Sequence, residues 1–216
     1  MTVDTRVYAV LDPARCRDRP LGEMAEAAAR GGATLLQYRD KTGSTRRLIE
    51  AAGEIGRALA PYSVPLLIND RVDVALAAGC AGVHVGAEDM PAADARRLLG
   101  AGAIVGCTVH SAEEADALPD AVLDYVSVGG VFATASKHNP QPPIGLDGVR
   151  SLIARLPDVP VCAIAGIDHR NAAEVIAAGA AGVAVISDIF MADDVEVATR
   201  RLRGVVDSAL AGRSAS

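Results

Sequence analysis

Two stretches far apart in the chain are near copies of each other. Ala77-Ala-Gly-Cys-Ala-Gly-Val-His-Val and Ala177-Ala-Gly-Ala-Ala-Gly-Val-Ala-Val share one pattern, and Ala28-Ala-Arg-Gly-Gly-Ala-Thr-Leu-Leu is a looser copy. In each, glycine ends a helical run in a left-handed cap and a β-rich run begins at once. Short helix-to-strand junctions that recur in this way mark βαβ units.

Extending the pattern along the chain predicts eight strands: Val7–Leu11, Thr34–Tyr38, Leu66–Ile68, Gly82–Val85, Ala103–Val105, Tyr125–Val128, Val161–Ile164 and Gly182–Ile186. Helical segments separate them. Ser44 to Ala60 carries apolar residues on one face at Leu48, Ala51, Ala52, Ile55, Ala58 and Leu59. Ser111-Ala-Glu-Glu reads as a capping box, Pro91 suits a first helical turn, and a last helix runs from about Asp193 to Leu210. Eight such units predict a (β/α)8 TIM barrel of the α/β class, one compact domain over residues 1–216 with its core at about 7–210. At 216 residues the chain has the length of a minimal barrel. A doubly wound open sheet is the competing arrangement. The strand count and the lack of a G-x-G-x-x-G after the first strand stand against it.

Composition narrows the function. The formal net charge of −6 gives no cationic field for a polynucleotide, so small-molecule ligands and no nucleic acid are expected. Cys16, Cys80, Cys107 and Cys162 have neither C-x-x-C nor zinc-ligand spacing and read as reduced, packed thiols. The opening MTVDTRVYAVLDP has no basic region leading into a long apolar one, and no apolar run reaches membrane-spanning length. A cytoplasmic protein with no membrane partner is the expectation. A homo-oligomer remains open.

A barrel places its site at the C-terminal ends of the strands. Gln37, Arg39 and Lys41 follow the second strand. Gln37 and Arg39 alternate with Tyr38 and point to one side, offering an amide and two cations to a polyanion. A solvated charge run is the alternative. Asn69 and Asp70 follow the third strand and Asp89 the fourth, a donor set suited to Mg²⁺ with phosphate oxygens and water. Helix N-caps are the alternative for both aspartates. Thr108 and His110 follow the fifth strand. The long loop from Gly129 to Gly145 carries Thr134, Ser136 and Lys137, hydroxyls and a cation suited to phosphate. Gly166, Ile186 and Ser187 end the last two strands, where this fold often binds phosphate through backbone N–H groups.

On these residues the sequence resembles the thiamine-phosphate synthase family. The matching stretches are Gln37-x-Arg39-Asp40-Lys41, Asn69-Asp70-Arg71-x-Asp73, Gly82 to Asp89, Thr108-x-His110, Thr134-x-Ser136-Lys137, Ala165-Gly166-Ile167 and Ile186-Ser187. The resemblance spans about Tyr8 to Leu210. It implies a transferase that joins hydroxymethylpyrimidine diphosphate to thiazole phosphate, or its carboxylated form, giving thiamine phosphate and pyrophosphate. By that resemblance Gln37, Arg39, Lys41 and Asn69 hold the pyrimidine diphosphate. Asp70 and Asp89 hold Mg²⁺. Thr108 and Lys137 contact pyrophosphate or pyrimidine, and Thr134, Ser136, Gly166, Ile186 and Ser187 hold the thiazole phosphate. Arg39, Lys41, Thr108 and Lys137 are then the catalytic candidates.

Leu11, Ala87, Gly130, Ala133, Ser136 and Ala165 depart from the family's usual residues. Two other functions compete. One is a thiazole tautomerase of the same barrel family, with His110 moving the proton. The other is a non-catalytic phosphate-binding barrel.

Overall fold

The computed structural model describes residues 2–118, 122–134, 142–156 and 158–214. The predicted Ser136 and Lys137 lie outside the described residues. Eight parallel strands close into a barrel in chain order: β1 (Val7–Leu11), β2 (Leu35–Tyr38), β3 (Leu66–Asn69), β4 (Gly82–Val85), β5 (Ile104–Val109), β6 (Tyr125–Gly129), β7 (Val161–Ile164) and β8 (Gly182–Val185). β8 returns to β1, with Val7 opposite Val183. The helices α1 (Leu21–Arg30), α2 (Thr45–Leu59), α3 (Val72–Ala78), α4 (Ala92–Leu99), α5 (Ala112–Asp116), α6 (Gly145–Ile153), α7 (Ala172–Ala177), α8 (Ser187–Phe190) and α9 (Val195–Ser214) surround it. The predicted barrel is therefore the observed one.

Period-two alternation divides the buried residues into two layers. One set of strand side chains, with Leu36, Ile68, Val83, Val105, Val126 and Ala163 among them, packs outward against the helices. The other fills the barrel interior with Tyr8, Val10, Leu35, Leu67, Tyr125, Cys162, Ala184 and Ile186. Aromatic residues make up only 3% of the chain, and two of its four tyrosines lie in this interior. Gly106 makes room for one of them, because a Cβ there would lie 2.1 Å from the Tyr125 ring. The Tyr8 and Tyr125 rings meet edge to face, centroids 5.6 Å apart at 85°. Such a pair contributes about 0.5–1.5 kcal/mol beyond its area burial.

Element boundaries differ from the sequence reading mainly at C-terminal ends. β5 runs on to Val109, so Thr108 lies within the strand and not after it. Gly129 belongs to β6, while Ile186 has left β8 and precedes α8. Ser44 caps α2 by accepting from the Arg47 N–H. Ser111 caps α5, but Glu114 reaches back to the His110 N–H at 2.7 Å and not to the cap residue's own amide. Among the described residues, no helix is long and apolar enough to cross a membrane.

Candidate active site

At the C-terminal mouth of the barrel a cavity of about 540 Å³ opens between the strand ends. Gln37, Arg39, Asn69 and Thr108 line one side. Thr134, Gly166, Ile186 and Ser187 line the other. The two groups of candidates, separated by most of the chain in sequence, therefore share one chamber. Lys41, Asp70 and Asp89 are not among its lining residues. They form an outer group joined to it through Asn69, whose side-chain N–H donates to Asp70 Oδ2 at 2.6 Å.

Neither aspartate is a helix cap. Arg71 occupies the N-cap of α3 and Pro91 that of α4, both without a side-chain cap bond. Asp70 instead accepts from Lys41 Nζ, and Asp89 accepts from the Gly86 N–H at 2.8 Å. The backbone of Asp70 is left-handed, with φ 62°, and its N–H donates to the His84 carbonyl at 2.8 Å. A non-glycine residue held there costs about 1–3 kcal/mol, a strain that gathers at functional sites. Burial and the neighbouring Asp89 carboxyl push the Asp70 pKa up, while Lys41 opposes the rise. The Asp70 and Asp89 carboxyls therefore face each other at the rim.

Arg39 makes a different contact. Its guanidinium pairs with Asp12, which follows β1, and the two side chains are only 16% and 8% exposed. Asp12 also accepts from the Ala14 N–H at 3.0 Å and so caps the short 3-10 helix Pro13–Arg15. The sequence reading missed Asp12. The strand-end rule that selected Gln37 and Arg39 would have found it, one residue beyond the end of β1.

A polar chain lies on the cavity floor. Gln37 Nε2 donates to the Tyr8 hydroxyl, and Tyr8 and Tyr125 share a hydrogen bond at 2.7 Å. Tyr125 meets His84 Nδ1 at 2.7 Å, and His84 Nε2 meets Thr108 Oγ1 at 2.7 Å. Tyr8 and Tyr125 carried no signal beyond their inward register. His84 stood within a quoted motif without a role. Burial pushes the phenol of Tyr8 up, and Tyr125 rises by burial and by its neighbour Tyr8, so both stay protonated at neutral pH.

The opposite side is built from backbone. The loop after β6 is stitched to the end of β7 by the Val131 N–H to Ile164 and the Phe132 N–H to Ala165. Gly166, at φ 67°, passes so near that a Cβ would lie 2.6 Å from the Ala133 carbonyl oxygen. Ala165 beside it holds φ 86°, a left-handed conformation that favours glycine. The imidazole and amide of His169 bind the two carboxylate oxygens of Asp188 at 2.9 and 3.1 Å, tying the β7 loop to α8.

His110 also lines the cavity, with Nδ1 3.2 Å from Glu114. No thiolate chemistry is prepared. Burial pushes Cys16 and Cys80 up to about 11, and Cys107 and Cys162 to about 12.

Comparison with known proteins points to one family. Residues 7–189 match the family model described as thiamine monophosphate synthase. The chain is 52% identical to the thiamine-phosphate synthase of Agrobacterium fabrum, over 98% of each chain. It is 48% identical to that of Chloroflexus aurantiacus, over 94% of each. Its fold is similar to the solved thiamine phosphate pyrophosphorylase from Pyrococcus furiosus, with a TM-score of 0.86 at 36% identity, covering 96% of this chain and 98% of that one.

Proposed function

The chain belongs to the thiamine monophosphate synthase family, and on that premise we propose how its barrel mouth carries out the reaction. It is an enzyme that forms thiamine phosphate from a pyrimidine and a thiazole. Neither the tautomerase nor the non-catalytic alternative is favoured by the relatives.

The pyrimidine enters as its diphosphate, with the ring over Gln37 and Thr108 and the diphosphate at Arg39, Lys41 and Asn69. Lys137, outside the described residues, is assigned to the pyrophosphate by the resemblance alone. The thiazole phosphate is held by Thr134, Ser136, Gly166, Ile186 and Ser187, where bare backbone and hydroxyls can meet its oxygens. The single observation that supports this reading is the shared cavity, lined by Gln37, Arg39, Asn69 and Thr108 together with Thr134, Gly166, Ile186 and Ser187.

Mg²⁺ is the cation we assign to Asp70 and Asp89. Their donor set suits it: two hard carboxylates at the rim, beside the lysine that would meet a diphosphate. Among the described residues no group of three or more His, Cys, Asp or Glu side chains could hold a metal. Mg²⁺ commonly takes one or two carboxylates and completes its shell with phosphate oxygens and water. When bound, Mg²⁺ supplies charge neutralisation to the leaving diphosphate.

The chain's own residues do the rest. Arg39, Lys41 and Lys137 stabilise negative charge as the methylene C–O bond breaks and pyrophosphate departs. The ring nitrogen and amino group of the pyrimidine spread the positive charge left on the methylene. Two anchored phosphates hold the thiazole nitrogen in line, and its lone pair forms the new C–N bond. No proton is removed, so no general base is needed. Chromatographic detection of thiamine phosphate from the two purified substrates tests this. Its appearance only when both substrates and Mg²⁺ are present supports the reading, and its absence at every Mg²⁺ concentration refutes it.

A further inference from the structure

The polar chain on the cavity floor has a direction, and the direction follows from counting protons. A buried hydroxyl that fails to donate or accept costs free energy, so buried polar groups are nearly always paired. Tyr8 is 1% exposed and Tyr125 fully buried, and both remain phenols. The Tyr8 oxygen accepts from Gln37 Nε2, so the Tyr8 proton has Tyr125 as its hydrogen-bonding outlet. The Tyr125 oxygen thereby becomes an acceptor, and its own proton goes to His84 Nδ1. A neutral imidazole carries one donor and one acceptor. With Nδ1 accepting, the proton lies on Nε2 and is donated to Thr108 Oγ1. The Thr108 hydroxyl proton is then available to the cavity that Thr108 lines. At the other end Gln37, which also lines the cavity, has its amide nitrogen engaged, and its Oε1 is left as the acceptor.

We propose that Tyr8, Tyr125 and His84 are positioning residues that fix the hydrogen-bonding polarity of the pyrimidine subsite. His84 is the neutral Nε2–H tautomer. The cavity floor offers an acceptor at Gln37 Oε1 and a donor at the Thr108 hydroxyl. This pattern is complementary to an amino group beside a ring nitrogen: the amine donates to Gln37 and the ring nitrogen accepts from Thr108. An oxo-pyrimidine presents the opposite pattern, a carbonyl beside a ring N–H, and meets acceptor with acceptor and donor with donor. The inference rests on the reading that an aminopyrimidine diphosphate binds here, and it adds which neighbouring groups make the subsite selective. Hydrogen-bonding sites of this kind reject a mismatched partner far more strongly than apolar pockets do, because the site's own groups are left unpaired.

Two measurements test it. Long-range ¹⁵N–¹H correlation spectra of the ligand-free wild type assign the His84 tautomer. A proton on Nε2 with a bare Nδ1 is expected, and a proton on Nδ1 overturns the proposal. Tyr125→Phe keeps the ring and removes the hydroxyl at the middle of the chain. With amino- and oxo-pyrimidine diphosphates as competing ligands, it should lower the wild-type preference for the amino form at least about tenfold while the KM for thiazole phosphate stays put. An unchanged preference, or an equal rise in both KM values, overturns it. The failure of the synthase reading looks different: wild type then makes no thiamine phosphate, whatever the tautomer of His84.

Discussion

The guanidinium of Arg39 is paired with Asp12 and not with Asp70, whose partner is Lys41. Asp12 is nearly buried, so the pair orients a cation at the cavity wall before any anion arrives. Breaking a buried pair from one side costs about 3–5 kcal/mol, because it leaves a charge uncompensated. Asp12→Asn keeps the size and the acceptor for the Ala14 amide. It should lose about 3 kcal/mol in urea unfolding, near the lower end because Arg39 retains some exposure. Pyrophosphate should raise the variant's Tm more than the wild type's by supplying the missing anion. Equal shifts would show that Arg39 does not meet the diphosphate.

Asp70 links stability to function with opposite signs. Its folded pKa is raised, so the native state holds the Asp70 proton more tightly than the unfolded chain does. This stabilisation is complete below the unfolded pKa and is lost as pH rises through the folded one. At neutral pH the ionised group is a liability. Asp70→Asn should therefore raise Tm at pH 7, with the gain shrinking as pH falls into the ordinary carboxylate range. The same change should reduce turnover by about 10²-fold or more and abolish any Tm increase that the wild type gains from added Mg²⁺. Calorimetric scans across pH, with and without Mg²⁺, check all three. A lower Tm for the variant at pH 7 would contradict the sign.

Ala165, just after β7, holds φ 86°, a left-handed conformation that favours glycine. An alanine in a left-handed conformation costs about 1–2 kcal/mol, and glycine's greater freedom in the unfolded chain takes back about 0.5–1 kcal/mol. Ala165→Gly should gain up to about 1 kcal/mol, a Tm rise of about 2–4 °C for a chain of this size. A scanning calorimeter reads this directly. No rise would mean that the surrounding turn relaxes around alanine without strain.

The barrel was legible because its signal is local and repeated. Each strand is a short β-rich run, and Gly79 and Gly179 punctuate the junctions. The C-terminal ends were harder to read. Cys107, Thr108 and Val109 continue β5 by pairing with Val126, Ser127 and Val128, a partnership between strands that no window of β5 alone contains. For the same reason the rim residues were accessible and the floor was not. Asp70 and Asp89 stand in short polar motifs after strand ends, whereas Tyr8 meets Tyr125 across the barrel interior, 117 residues away in sequence. Asp12, in Leu-Asp-Pro, looks like an ordinary turn residue until Arg39 is seen beside it.

The central claim is that the diphosphate and its cation meet at the β2–β4 rim. A crystal soaked with Mg²⁺ and pyrophosphate tests it most directly. The account predicts an ion bound by the carboxylates of both Asp70 and Asp89, and pyrophosphate oxygens on Arg39, Lys41 and that ion. An ion touching neither aspartate, or pyrophosphate bound only at Gly166 and Ser187, would contradict it.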